Sequence, residues 1–268
     1  MTNNWAQLTT RWIAYLQGAA LRPLTIDLRR SQIRRLAWSF RDRNPFELSP
    51  SDLAEWLGSH GWERETIRSH RAMMRSFYGW AHVTGITDHD SSRLLPKVAA
   101  ATPAPRPARE AVVALALAEA DERTLLMLLL GRRLGLRRGE IAQVHTHDLT
   151  TDGTGRPSLR VHGKGGKIRT VPLPADLDRM LRALPVGFVF AGRHGALTAA
   201  HTGKLISAAL TEGTTAHQLR HRFATAAYAA SGDIVTVSRL LGHASVATTQ
   251  RYVATDDGQM RTVMDGAS

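Results

Sequence analysis

Four prolines crowd one short stretch, PKVAAATPAPRPARE at residues 96–110, and they constrain the fold of this chain more than any other feature. Proline donates no backbone hydrogen bond and biases the residue before it away from helical geometry. Pro96, Pro103, Pro105 and Pro107 therefore interrupt any helix or inner strand here. Taken as polyproline-like at ~3.1 Å per residue, the stretch reaches roughly 40 Å. The chain accordingly reads as two folded domains, residues 1–95 and 110–268, joined by a linker over 96–109.

Ahead of the linker the hydrophobic pattern is helical throughout. LTTRWIAYLQG, LRPLTIDLRRSQIRRLAWSFRDR, SPSDLAEWLGSHG and ERETIRSHRAMMRSFYGWAHVTG give four helices, a small bundle. Ser49 or Ser51 can cap the third, and Pro50 suits its first turn. In the fourth, Arg64, Arg68, Arg71 and Arg75 share one narrow face, with Ile67, Met73, Met74, Phe77 and Trp80 roughly opposite. On a lone helix such a stripe is usually a solvated face. Here the charge of the whole chain favours reading it as a contact with DNA phosphates.

That charge is large. Lys and Arg number 35 against 23 Asp and Glu, a net +12, and most of the excess is arginine, which binds phosphates through a bidentate fork. The balance points to a polyanionic partner, with nucleic acid ahead of a membrane surface. The chain has no cysteine, which excludes disulfides and thiolate zinc sites. MTNNWAQLTT lacks the pattern of a signal peptide, and the most apolar run, LLMLLL at 125–130, falls far short of the ~20 residues of a membrane span. The expected compartment is the cytoplasm.

After the linker come two apolar helices, about 108–120 and 121–134, a break at Gly135, and a helix beginning near Arg137. SLRVHGKGGKIRTVPLP reads as a β-hairpin, with Leu159 and Val161 before its glycine-rich turn and Ile168 and Val171 after it. GFVFAG suggests one more short strand. The expected fold class is mainly α with a small antiparallel sheet: an N-terminal helical bundle and a mixed α/β second domain.

Chemistry gathers in four segments of that second domain. In GLRRGEI, Arg137 and Glu140 stand three apart at a helix start and can pair. In HGKGGKIRT, Lys164 rides a flexible turn. In TTAHQLRHRFATAAYAASG, Thr215 can cap a helix whose apolar face is Leu219, Phe223, Ala226 and Ala230; His217 and Arg220 sit near its N-terminal end, where the helix dipole favours an anion. In LGHASVATTQRY, Gly242 ends a helix, His243 takes the turn, and Ser245 can cap a short helix carrying Tyr252. Singly, each has an ordinary explanation: a surface ion pair, a solvated lysine, cheap basic residues, a packing tyrosine. His145 and His147 lack clustered carboxylates and read as surface residues.

Together and in order, GLRRGE, GKGGK within a hairpin, HQLRH and LGHASVATTQRY closely resemble the tyrosine recombinase, or phage integrase, family. The resemblance covers essentially the whole chain, since the helical front domain and proline-rich linker are similar to that family's core-binding domain and its connection. It implies an active site of Arg137, Glu140, Lys164, His217, Arg220, His243 and Tyr252, with a DNA-binding contribution from Arg64, Arg68, Arg71 and Arg75.

The chemistry is coherent. Attack on a phosphodiester loads charge on its non-bridging oxygens, which Arg137 and Arg220 can fork with charge-assisted hydrogen bonds. His243 can donate another, and the resemblance assigns His217 to accept the tyrosine proton or add a contact. Lys164 suits protonation of the leaving 5′ hydroxyl, Glu140 orients its neighbours, and Tyr252 becomes linked to a 3′ phosphate. The arginines replace a metal, so no cofactor and no ATP are expected.

The implied partners are double-stranded DNA at paired core sites and three further copies of the chain, monomeric when free and tetrameric on DNA, with a directionality factor as a further possible partner. The chain enters its helical domain almost at once, so the expectation is a compact phage or mobile-element integrase without an arm-binding domain. Its last residues, 257–268, are expected to dock on a neighbouring subunit. The alternatives are a type IB topoisomerase-like enzyme and a catalytically silent DNA-binding regulator.

Overall fold

The structure is a computed structural model that describes residues 4–99, 107–163, 165–193 and 195–243. It divides into two units, Met1–Thr102 and Pro103–Ser268.

In the first unit, α1 (Trp5–Gly18), α2 (Pro23–Ser39), α3 (Pro50–Gly58) and α4 (Arg64–Val83) enclose an aromatic core. Trp12, Ile33, Leu36, Leu53, Met73, Met74, Phe77 and Tyr78 are essentially inaccessible to solvent. Phe77 is the hub, stacked on Trp5 at 5.9 Å between centroids and met edge-on by Trp12 at 5.5 Å; such offset and edge contacts are the favoured aromatic geometries. Helix α3 starts where its sequence says it should. Ser49 Oγ accepts the Asp52 N–H at 3.1 Å while Asp52 Oδ2 accepts the Ser49 N–H at 2.8 Å, and Pro50 takes the first turn.

The second unit is larger. α5 (Glu110–Glu119) and α6 (Glu122–Leu134) lead through Gly135 into the short α7 (Arg138–Ala142). β1 (Leu149–Thr151), β2 (Pro157–His162) and β3 (Ile168–Pro172) form an antiparallel sheet in that order. After α8 (Ala175–Arg182), a two-residue pair, β4 (Ala191–Gly192) and β5 (Gly195–Ala196), precedes α9 (Ala199–Leu210), α10 (Ala216–Ser231) and α11 (Ile234–Leu241). One apolar core runs through Leu128, Leu130, Ile141, Leu159, Leu177, Ile206 and Leu219.

Gly135 determines how this unit closes. It sits at φ +62°, left-handed geometry that favours glycine, and a Cβ there would run into the ring of Phe223 on α10. Leu219 also packs closely on Gly131, 3.2 Å from where a Cβ would be. Small residues on α6 thus let α10 approach its backbone and bring Arg220 beside the loop that carries Arg137.

Three sequence expectations change. Ile168 is 61% exposed, because β3 pairs with β2 in a register that sets Arg169 opposite Val161 and Val171 opposite Leu159, so the inward positions are 169 and 171. GFVFAG is not one continuous strand: Phe188 forms an isolated antiparallel bridge with His145, Phe190 is buried, and Ala191–Gly192 pairs with β5. On α10, Leu219 and Ala224 are buried and Phe223 partly so, while Ala226 and Ala230 are exposed, because α6 packs against the N-terminal part of the helix.

Candidate active site

Two helix ends face each other in the second unit. α6 ends at Gly135 and α11 at Gly242, both left-handed, and each leaves terminal carbonyls without helical partners. Arginines fill that role. Arg220, 1% exposed, donates from Nη1 to the Gly135 carbonyl and from Nη2 to the Leu241 carbonyl, both at 2.6 Å. Arg137 Nη1 reaches the same Leu241 carbonyl at 3.3 Å. Cations at helix C-termini are favoured by the dipole as well as by the hydrogen bonds.

Between the arginines lies Glu140, whose side chain is 3% exposed. Its Oε2 accepts the Arg137 N–H at 2.9 Å and its Oε1 accepts Arg137 Nη1 at 2.8 Å. Arg220 Nη1 stands 3.8 Å from Oε2. Burial pushes this carboxyl up, but hydrogen bonds from Arg169 and the Arg137 backbone outweigh it, and the net shift is downward. Glu140 is therefore an ionised anchor. It accepts from the arginines and has no proton to give.

His243 lies in the turn after α11, with Nε2 2.9 Å from Arg220 Nη2. A guanidinium only donates, so Nε2 accepts and the imidazole proton resides on Nδ1. Burial, then the charges of Arg220, Arg137 and Arg169, hold its pKa down to about 4. Neutral His243 keeps Nδ1–H as a donor for an incoming oxygen.

His217 opens α10 at the exposed rim of the site, edge-on to His221 at 4.3 Å. Protein atoms packed round its ring, then Arg220, Arg137 and Arg138, lower its pKa, so it is neutral and able to accept a proton. Buried His221 is lowered to about 4, first by burial and then by His217 and Arg220.

Arg137, Glu140, Arg220 and His243 thus form one connected cluster, with His217 beside it. Three guanidiniums around one carboxylate leave a net positive site, suited to an anion with developing charge. Lys164 and Tyr252 lie outside the described residues, as do Ser245 and the tail 257–268. His145 contacts His147, at 4.7 Å between rings, and Phe188, at 4.9 Å. No cluster of three metal-ligating side chains occurs among the described residues, and no described helix is long and apolar enough to cross a membrane.

The third guanidinium, Arg169, was not among the residues singled out from the sequence. Its Nη1 and Nη2 fork onto Glu140 Oε1 and Oε2, both at 2.9 Å. The signal was its two-residue spacing from Val171, which puts both on the inward face of the strand.

In the first unit, the four arginines of α4 diverge. Arg64 is exposed. Arg68 pairs with Glu65 at 2.8 Å, also on the exposed surface. Arg71 instead donates to the Leu95 carbonyl at 3.0 Å, and Arg75 lies 3.7 Å from Asp90, so these two fasten the segment that follows the helix.

The phage integrase family model matches residues 108–259, more than half of the chain. The tyrosine recombinase XerC of Rhodospirillum centenum is 35% identical over 72% of this chain and 63% of its own length. That of Chromobacterium violaceum is 30% identical over 96% of this chain and 93% of its own length. Among solved structures, a lambda integrase tetramer bound to a Holliday junction is similar in fold, with a TM-score of 0.74 at 16% identity over 93% of this chain and 77% of that one.

Proposed function

The chain belongs to the phage integrase family of tyrosine recombinases, and from this premise we propose that it cleaves and rejoins DNA at specific sites through a phosphotyrosyl link at Tyr252. The observation that carries the proposal is the joining of Arg137, Arg220 and His243 around buried Glu140. In this reading Arg137 and Arg220 fork the non-bridging oxygens of the scissile phosphate, and His243 donates its Nδ1 proton to one of them.

Tyr252 forms the new phosphorus–oxygen bond as the bond to the 5′ oxygen breaks. His217 takes the phenol proton and Lys164 supplies one to the departing 5′ oxygen. The phosphodiester energy is kept in the 3′-phosphotyrosyl link, so a second strand's 5′ hydroxyl can reverse the step without ATP. No step in this scheme calls on a metal ion.

The residues of the first unit, with Arg64 and Arg68 exposed on α4, are proposed to hold the duplex, and the proline-rich stretch to connect it to the catalytic unit. The working form is proposed to be a tetramer on paired core sites, in line with the lambda integrase neighbour, a tetramer bound to a Holliday junction, and residues 257–268 are proposed to dock on the adjacent copy. Action in the cytoplasm on nucleoid DNA, as a phage or mobile-element integrase, completes the proposal.

The test is a plasmid carrying two candidate core sites. Strand exchange between them, with a complex of four copies per site pair by light scattering, is the expected outcome. Relaxation of the plasmid by a monomer without exchange would replace this reading with a topoisomerase-like one.

A further inference from the structure

We propose that Arg169 is a positioning residue: it holds Glu140 in the orientation that sets Arg137 and Arg220, and it ties the β2–β3 hairpin to the turn that carries His243. The inference rests on the recombinase reading above and deepens it.

Arg169 makes three hydrogen bonds that serve two parts of the site. Nη1 and Nη2 fork onto both oxygens of Glu140 at 2.9 Å, and Nε donates to the Leu240 carbonyl at the end of α11 at 2.8 Å. Its side chain is 14% exposed. A carboxylate gripped on both oxygens cannot rotate, so its remaining lone pairs point where the Arg137 N–H and Arg137 Nη1 meet them. Lysine at this place would keep the charge and lose the fork.

The backbone comes close to this side chain at two glycines. At Gly242, φ +64°, a Cβ would lie 3.0 Å from both Cδ and Nη1 of Arg169. At Gly163, at the end of β2, a Cβ would lie 3.8 Å from Arg169 Nη1 and from Glu140 Oε1, and 3.1 Å from the Lys167 carbonyl. Gly242 thus leaves room for one guanidinium, which joins the hairpin to α7 through the Glu140 carboxylate and to the end of α11 through the Leu240 carbonyl. Lys164 belongs to the same hairpin, five residues before Arg169.

The proposal commits to an effect on the phosphate clamp rather than on leaving-group protonation. The full-length chain is compared with Arg169→Gln and Arg169→Lys in single-turnover cleavage of a nicked core-site duplex. The scissile phosphate carries either a normal 5′ oxygen or a 5′ bridging sulfur, whose thiolate leaves without needing a proton. Both variants are expected to bind the duplex within about threefold of the parent and to cleave it on the order of 10- to 100-fold more slowly, the scale seen when an outer partner of a ligating group is lost. The sulfur substrate is expected not to restore their rate, whereas it should restore Lys164→Ala. Adding Glu140→Gln to Arg169→Gln is expected to cost little more than either change alone, since the two act as one unit.

Rescue of Arg169→Gln by the bridging sulfur would overturn the proposal, as would parental rates in both variants. A drop in melting temperature confined to the glutamine variant leaves the lysine variant, which keeps the charge, to decide. If the parent itself forms no covalent adduct, the recombinase reading fails; if the parent does and the variants match it, only the role of Arg169 fails.

Discussion

A guanidinium that is 1% exposed is costly unless it is well partnered, and Arg220 is met by the carbonyls of Gly135 and Leu241, the imidazole of His243 and the nearby carboxylate of Glu140. Burial first, and then the same crowding of cations, keeps the neighbouring histidines neutral. His221 and His243 have folded-state values of about 4, below the ordinary value near 6.5. As pH falls, the unfolded chain takes up these protons first. The stability they contribute is therefore complete above about pH 6.5 and is lost progressively toward pH 4. Melting scans across that window should show a falling Tm, and His221→Gln should flatten the slope. An unchanged slope would show that His221 already carries its proton in the folded protein.

Gly135 ends one helix and makes room for the next, and both duties depend on its lack of a Cβ. Gly135→Ala has to adopt left-handed geometry and displace the Phe223 ring, so it should destabilise the second unit by about 2 kcal/mol or more, read as a lower Tm in thermal unfolding. A melting curve matching the parent would mean that α10 can shift off α6 without cost. At this scale much was legible in advance. The four helices of the first unit, the glycine stops and the β2–β3 hairpin all follow from periodicity and turn residues. Arg169 was legible only in part: its two-residue spacing from Val171 suits one face, but Ile168, three from Val171, competes with it as the apolar candidate. Only the cross-strand register shows that the arginine, and not the isoleucine, faces inward. Nor does the spacing of the α4 stripe show that Arg71 and Arg75 are taken up by Leu95 and Asp90, contacts made by a segment about 20 residues further along the chain.

Across the whole molecule, a net charge of +12 is distributed over two units that perform different tasks in the proposed reaction. If Arg64 and Arg68 of the first unit meet phosphates, replacing each with alanine should weaken DNA binding about equally for all sequences and lower the slope of log affinity against log salt by about 1 per residue. A loss confined to one base position would assign them to base reading instead. In the proposed reaction the four connected residues of the second unit hold a phosphate for a nucleophile to attack, and Tyr252 is the candidate. The most direct measurement is covalent trapping on a nicked core-site duplex, with the parent chain and Tyr252→Phe side by side, read as a DNA-linked band and as a phosphotyrosyl peptide by mass spectrometry. The parent should form the adduct at Tyr252 and the phenylalanine variant should form none while still binding the duplex. An adduct in the phenylalanine variant, or one mapped to another residue, would contradict the assignment.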